Sequence, residues 1–244
     1  MIFKSSLFPT ILLLFLCTAC GDSRQKKSGD TGATTRDTLS AKEQVVDSTL
    51  ATKEEPEEEP FELNDDNAIP FFFDYEKKNP EKLVRVHTSM GDFDIELFEN
   101  TPYHRANFIF LTKKKYFNNT LFHRVVKDFV IQGGNSDMPS TNRKRREIGT
   151  YLLPPDTDKG HSHARGIVSM PSSDNVDNPH KLASPYEFFI VVQKPGAFHL
   201  DGKYTAFGKV ISGMEVVDKI NQVPIDDGEW PLQNVTIKSV EILD

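Results

Sequence analysis

The strongest constraint on this chain is a succession of short apolar runs that alternate with period two and are interrupted by Gly, Pro, Asn and Asp. Successive side chains of a strand point to opposite faces, so this alternation marks half-buried strands. It predicts strands over 83–88, 92–98, 122–126, 129–132, 166–170, 188–192, 205–210 and 235–242, the first two joined as a hairpin at Ser89-Met90-Gly91. Two stretches read as helices instead. Thr101-Pro102 supplies an N-cap and a proline at the first helical position, with an apolar side from Ala106 to Leu111 and an end near Tyr116. A second helix runs from Met214 to Gln222, after Gly213. Many short strands with two helices imply a mainly β sandwich or barrel, and the pattern leaves both open.

The N-terminal quarter differs in kind. Lys4 precedes the apolar stretch Leu7–Ala19, which is shorter than the roughly 20 residues a spanning helix needs and reads as a signal peptide. It ends in Cys17-Thr18-Ala19-Cys20-Gly21, which resembles a bacterial lipobox although Cys17 stands where Leu is usual. That resemblance implies that Cys20 is the lipidated mature N-terminus, against the alternative of plain secretion by cleavage near Ala19. Residues 1–20 are thus expected to be a signal peptide and 21–68 a linker rich in Ser, Thr, Asp, Lys and Glu, ending in Glu54-Glu55-Pro56-Glu57-Glu58-Glu59-Pro60. Such a composition cannot bury enough apolar surface to order itself. It would act as a tether with a span on the order of 35 to 40 Å, or else as an acidic recognition tail.

Residues 69–244 remain as one domain with a single core. The chain's two cysteines are Cys17 and Cys20, so this domain is held by neither a disulfide nor a thiolate zinc site. A formal charge of -7 gives no electrostatic reason for a nucleic-acid partner. The basic run Arg143-Lys144-Arg145-Arg146 reads as a solvated loop inside 137–165, a segment with few secondary-structure signals; 171–186 is similar. His161 and His163 with His180 or His199 have no metal-ligand spacing, and no metal or cofactor is expected. Phe71-Phe72-Phe73 suggests a preceding segment that packs on the domain.

The most informative stretch is Phe122-His123-Arg124-Val125-Val126-Lys127-Asp128-Phe129-Val130-Ile131-Gln132-Gly133-Gly134-Asn135. From the residues alone it is a strand, a polar turn and a strand closed by a glycine pair. Its cation and amide either meet aromatic positions in an apolar groove or are simply solvated. The run resembles the cyclophilin signature F-H-R-x-x-x-x-F-x-x-Q-G-G. The resemblance extends through Met90-Gly91-Asp92, Thr101-Pro102, Asn107-Phe108 and Gly166-Ile167-Val168-Ser169-Met170. It continues through Phe188-Phe189-Ile190, Leu200-Asp201-Gly202-Lys203, Phe207-Gly208-Lys209-Val210 and Gly213-Met214. It implies a closed eight-stranded antiparallel barrel capped by two helices.

The activity so implied is peptidyl-prolyl cis-trans isomerisation, with Arg124 donating a hydrogen bond to the prolyl nitrogen. By matched position Phe129, Val130, Phe189 and Leu200 receive the proline ring, and Gln132 holds a substrate carbonyl. Pro171 and Ser172 bind the residue before proline, with Glu187, His199 and Tyr204 around the rim. Several positions depart from the commonest family residues: Lys127-Asp128 replaces Pro-Gly, Val130 Met, Pro171-Ser172 Ala-Asn, Glu187 Gln and His199 Trp. Without that Trp, strong cyclosporin binding is not expected. The partners implied are proline-containing segments of unfolded or maturing proteins, met by a monomer anchored in the bacterial envelope. The competing reading is a proline-peptide-binding or holdase module with little turnover, motivated by Glu187 and His199. A purely structural lipoprotein would not need the F-H-R groove.

Overall fold

The computed structural model describes residues 62–173, 176 and 178–244. The signal-peptide and lipobox readings, Cys20 and most of the linker lie outside the described residues. No helix among the described residues is long and apolar enough to cross a membrane. Residues 62–68, expected in the linker, include Leu63, which is buried in the folded part.

In chain order the elements are β1 (Leu63–Asn64), α1 (Ala68–Lys78), β2 (Leu83–Thr88), β3 (Gly91–Leu97), α2 (Pro102–Lys113), β4 (Thr120–Val126) and β5 (Val130–Asn135). Then follow α3 (Pro139–Ile148), β6 (Gly149–Thr150), β7 (Ile167–Met170), β8 (Phe188–Val191), β9 (Thr205–Ser212), α4 (Met214–Asn221) and β10 (Val235–Ile242). Eight strands close into a barrel in the order β10-β2-β3-β9-β7-β8-β5-β4, every neighbouring pair antiparallel, with β4 pairing back onto β10. This is the eight-stranded barrel the family resemblance implied. Closure leaves those strands no free edge to pair with another chain. β1 and β6 form a separate parallel pair.

Two helices were expected, and four α-helices are present among the described residues. Helix α2 packs on β9 and β10 and α4 on β3, β4 and β5, so these two are the helices read from sequence. Thr101 precedes α2, but its hydroxyl donates to the Phe98 carbonyl (3.2 Å) and forms no side-chain cap. Helix α1 contains the phenylalanine run and lies against α2. Phe72 is wholly buried and meets Phe110 and Tyr151 at ring separations of 5.8 and 5.7 Å; burying one such ring is worth about 1.5–3 kcal/mol. Arg105 of α2 ties the pair together, donating to Glu76 Oε2 (3.0 Å) and the Asn79 carbonyl (3.0 Å).

The second extra helix, α3, corrects the reading of Arg143–Arg146 as a solvated loop. Lys144 Nζ donates to the carbonyls of Lys115, Tyr116 and Asn118 at 2.8–3.1 Å, and Arg145 Nε donates to the Tyr116 hydroxyl at 2.9 Å. Half of the basic run therefore anchors the helix to the chain that follows α2, leaving Arg143 and Arg146 exposed.

Candidate active site

Strand β8, Phe188-Phe189-Ile190-Val191, is buried along its whole length because both faces are covered. Phe188 and Ile190 enter the main core inside the barrel. Phe189 and Val191 point the other way and, with Val130 and Ala197, form a second, smaller apolar cluster, flanked by Val126, Phe129, Leu200 and Tyr204. This outer cluster is the floor of the candidate site.

Register carries the polar groups to the same place. Arg124 pairs with Gln132 across β4 and β5, and Gln132 pairs with Phe189 across β5 and β8. The orientation of Arg124 depends on a bulge. Phe122 opposes Gly133 while Arg124 opposes Gln132, so β4 spends two residues where β5 spends one. Without that extra residue, Phe122 and Arg124 would share a face. With it, Phe122 is buried in the barrel core and Arg124 stands on the outer surface. The turn from β4 to β5 holds Asp128 at φ 57, a left-handed conformation that Asp tolerates better than most side chains. Asn221 of α4 fixes this turn, accepting from the Asp128 N–H (2.8 Å) and donating to the Val126 carbonyl (2.9 Å). The glycine pair is needed for approach: Gly134 has φ +100, and a Cβ there would lie 2.4 Å from the Tyr186 carbonyl oxygen.

Arg124, Phe129, Val130, Gln132, Pro171, Ser172, Phe189, Leu200 and Tyr204 together line one open cavity of about 240 Å³. Nine of the eleven residues expected in the domain's site thus meet in one place. The sequence from 83 to 242 matches the family model described as "Cyclophilin type peptidyl-prolyl cis-trans isomerase/CLD". The chain belongs to this cyclophilin family. Among curated proteins it is similar to peptidyl-prolyl cis-trans isomerase-like 3 of Dictyostelium discoideum, 39% identical over 161 residues that cover 65% of this chain and 94% of that protein. It is also similar to a peptidyl-prolyl cis-trans isomerase of Acinetobacter baylyi, 35% identical over 168 residues that cover 66% and 85% of the two chains. Among solved structures, a Cryptosporidium parvum cyclophilin-type isomerase superposes with a TM-score of 0.56 at 29% identity, covering 67% of this chain and 98% of that one.

Two expected members of this cyclophilin's rim stand apart from the cavity lining. Glu187, expected at the rim, is turned behind Gln132: its carboxylate accepts from Gln132 Nε2 (2.8 Å), Asn135 Nδ2 (3.1 Å) and Arg145 Nη2 (3.5 Å) and lies 3.4 Å from His123 Nε2. An acidic side chain is drawn there by four donors rather than by a ligand. Burial acts to raise its pKa, but the bonds from His123 and Gln132 and the Arg145 charge outweigh that and hold it below the usual carboxylate value. His199 is exposed, and its ring stacks on Phe129 at 5.5 Å, covering the flank of the cavity rather than its floor.

Two features of the site were missing from the sequence reading. Beneath Phe189 lies a Ser–His–Asp chain: His163 Nδ1 is 2.7 Å from Asp201 Oδ1, and its Nε2 is 2.8 Å from Ser169 Oγ. Ser169 is wholly buried, so no substrate reaches its hydroxyl. The His163 ring lies parallel to Phe189 at 6.2 Å and supports the pocket floor. Burial drives the imidazole below its ordinary value although Asp201 acts the other way, which keeps it neutral with Nδ1 donating to the carboxylate and Nε2 accepting from Ser169. His161, drawn beside it as a possible ligand, stacks on Phe98 at 3.9 Å. Among the described residues no three His, Cys, Asp or Glu side chains gather as a metal site. The second feature is an acidic partner for Arg124, whose Nε donates to Glu229 Oε2 at 2.7 Å.

Proposed function

We propose that this cyclophilin accelerates rotation about X-Pro bonds by donating a hydrogen bond from Arg124 to the prolyl nitrogen. The amide barrier is about 18–20 kcal/mol because resonance gives the C–N bond partial double-bond character. In the twisted transition state the nitrogen loses conjugation and becomes a better acceptor than in either planar state. A donor fixed there binds the transition state selectively. Guanidinium suits the task because it stays charged at any working pH and its donors are held in a rigid fork. Phe129, Val130, Phe189 and Leu200 receive the proline ring, Gln132 holds a substrate carbonyl, and Pro171 and Ser172 take the residue before proline. The observation that carries this reading is the bulge that sets Arg124 beside that outer apolar cluster.

The substrates we propose are proline-containing segments of unfolded or maturing envelope proteins, met by a domain tethered through lipid on Cys20. Support for the anchor comes from Thr18-Ala19-Cys20-Gly21 and from the polar, acidic stretch that follows. A protease-coupled proline-peptide assay run beside an aggregation-suppression assay tests the activity. Rate enhancement without holding supports the isomerase reading; holding without rate enhancement supports a binding module. The Glu187 contacts favour the first, since that carboxylate is spent on His123, Gln132, Asn135 and Arg145 rather than offered to a client.

A further inference from the structure

Arg124 carries the proposed chemistry, yet it projects from a bulge on the outer face of the barrel with its side chain 43% exposed. A long cation in that setting samples many rotamers, and a donor that wanders gains little from transition-state binding. The loop between α4 and β10 answers this. Asp226 organises its turn: Oδ1 accepts from the Gly228 and Trp230 N–H groups (2.9 Å each), and its backbone exchanges bonds with Glu229 (3.1 Å) and Trp230 (2.9 Å). At the loop's base the Leu232 N–H donates to the Pro224 carbonyl (2.9 Å). Glu229 then takes φ +64, a left-handed conformation unfavourable for a side chain of its kind. The strain is held because its carbonyl accepts from the Val125 N–H at 2.8 Å, the residue next to Arg124.

The fastening repeats residue by residue. Glu229 meets Arg124, and Trp230 packs its ring 5.9 Å from that of His123, the extra residue of the bulge. The carboxylate binds the Nε edge of the guanidinium, on the stem side, and among the described residues the two terminal nitrogens have no hydrogen-bond partner. We infer that Glu229 is a positioning residue for isomerisation: it fixes the rotamer of Arg124 through Nε and so aims the terminal donors into the groove. Both side chains are partly exposed, Glu229 at 37%, so solvent screens the charge and the contribution is geometric. This inference rests on the reading of Arg124 as the donor.

The test compares Glu229→Ala and Glu229→Gln in the full chain, by kcat and KM on a proline peptide and by the ¹⁵N–¹H signal of Arg124 Nε. Glu229→Ala should lower kcat about tenfold while KM stays within about twofold, as expected for a lost alignment. The Nε–H signal should shift and exchange faster with water. Glu229→Gln keeps an acceptor oxygen and should restore most of the rate and the signal. Circular dichroism must show both variants folded as the parent is. An unchanged or raised kcat in Glu229→Ala, a change confined to KM, an unmoved Nε–H signal, or a Gln variant as slow as the Ala variant would each overturn the inference. If Arg124 itself proved dispensable while the Nε–H signal still depended on Glu229, the contact would stand and the chemistry assigned to Arg124 would fail.

Discussion

His104 lies in the first turn of α2, fully buried, with its ring 6.4 Å from that of Phe207 and neither nitrogen bonded to a described residue. Burial pushes its pKa from 6.5 down to about 3. The unfolded chain therefore takes up a proton below about pH 6.5 that the folded chain refuses until about pH 3, and stability falls with pH across that window. The slope approaches about 1.4 kcal/mol per pH unit, so the loss is about 1.4 kcal/mol at pH 5.5 and about 2 to 3 kcal/mol at pH 4.5. Against a total stability on the order of 5–15 kcal/mol this is a large share. His104→Leu removes the titrating group and keeps the site apolar. Urea unfolding of parent and variant at pH 7.5, 6.5, 5.5 and 4.5 isolates the effect, because every other titrating group is common to both. The difference should change by only about 0.4 kcal/mol between pH 7.5 and 6.5 and then grow in favour of the variant to the amounts above. A difference that stays constant to pH 4.5, with m-values unchanged, would refute the reasoning.

Gly134→Ala should cost about 3 kcal/mol or more, since it combines a left-handed backbone with a Cβ at 2.4 Å from the Tyr186 carbonyl; a loss below about 1 kcal/mol in urea unfolding would contradict the close approach. Glu187→Ala strips four donors of their acceptor and should destabilise by about 3 kcal/mol. Because the Glu187 carboxyl is held below its usual 4.5, that contribution is present above about pH 4.5 and fades as pH falls through the lower folded value. The parent-minus-variant difference should shrink accordingly below pH 4.5, and a difference independent of pH would contradict the assignment. Cys20→Ser should release a soluble, active domain; persistence in the membrane fraction would show that lipid on Cys20 is not the anchor.

Strand periodicity was legible because it is a local property. β2 and β10 run over 83–88 and 235–242 as their alternation predicts, and α2 and α4 start behind Thr101 and Gly213. Helix α3 was not legible, because Asn142-Arg143-Lys144-Arg145-Arg146-Glu147 has no apolar stripe and its hold comes from contacts of Lys144 and Arg145 with Tyr116 and its neighbours, almost 30 positions away. The site divides in the same way. Residues on β4, β5 and β8 line one cavity, since strand pairing fixes them. The bulge at His123 left no local mark: read with strict alternation, Phe122 and Arg124 share a face. Glu229 is 105 positions from Arg124, in the loop between α4 and β10, where no local pattern marks it. Glu187, expected at the rim, lies behind Gln132, because its orientation follows the donors around it rather than its place in the sequence.

The proposed chemistry rests on Arg124. Isomerisation of a proline peptide should be measured by exchange spectroscopy for the parent, Arg124→Ala and Phe129→Ala, with peptide affinity measured separately and circular dichroism confirming the folds. Removing one preorganised donor typically costs about 2.7–4 kcal/mol, a hundred- to thousandfold in rate. Arg124→Ala should therefore lose roughly that factor in turnover while still binding the peptide in the pocket of Phe129, Val130, Phe189 and Leu200, and Phe129→Ala should lose affinity as well. A parent that isomerises the peptide and an Arg124→Ala variant that keeps most of its rate would contradict the mechanism.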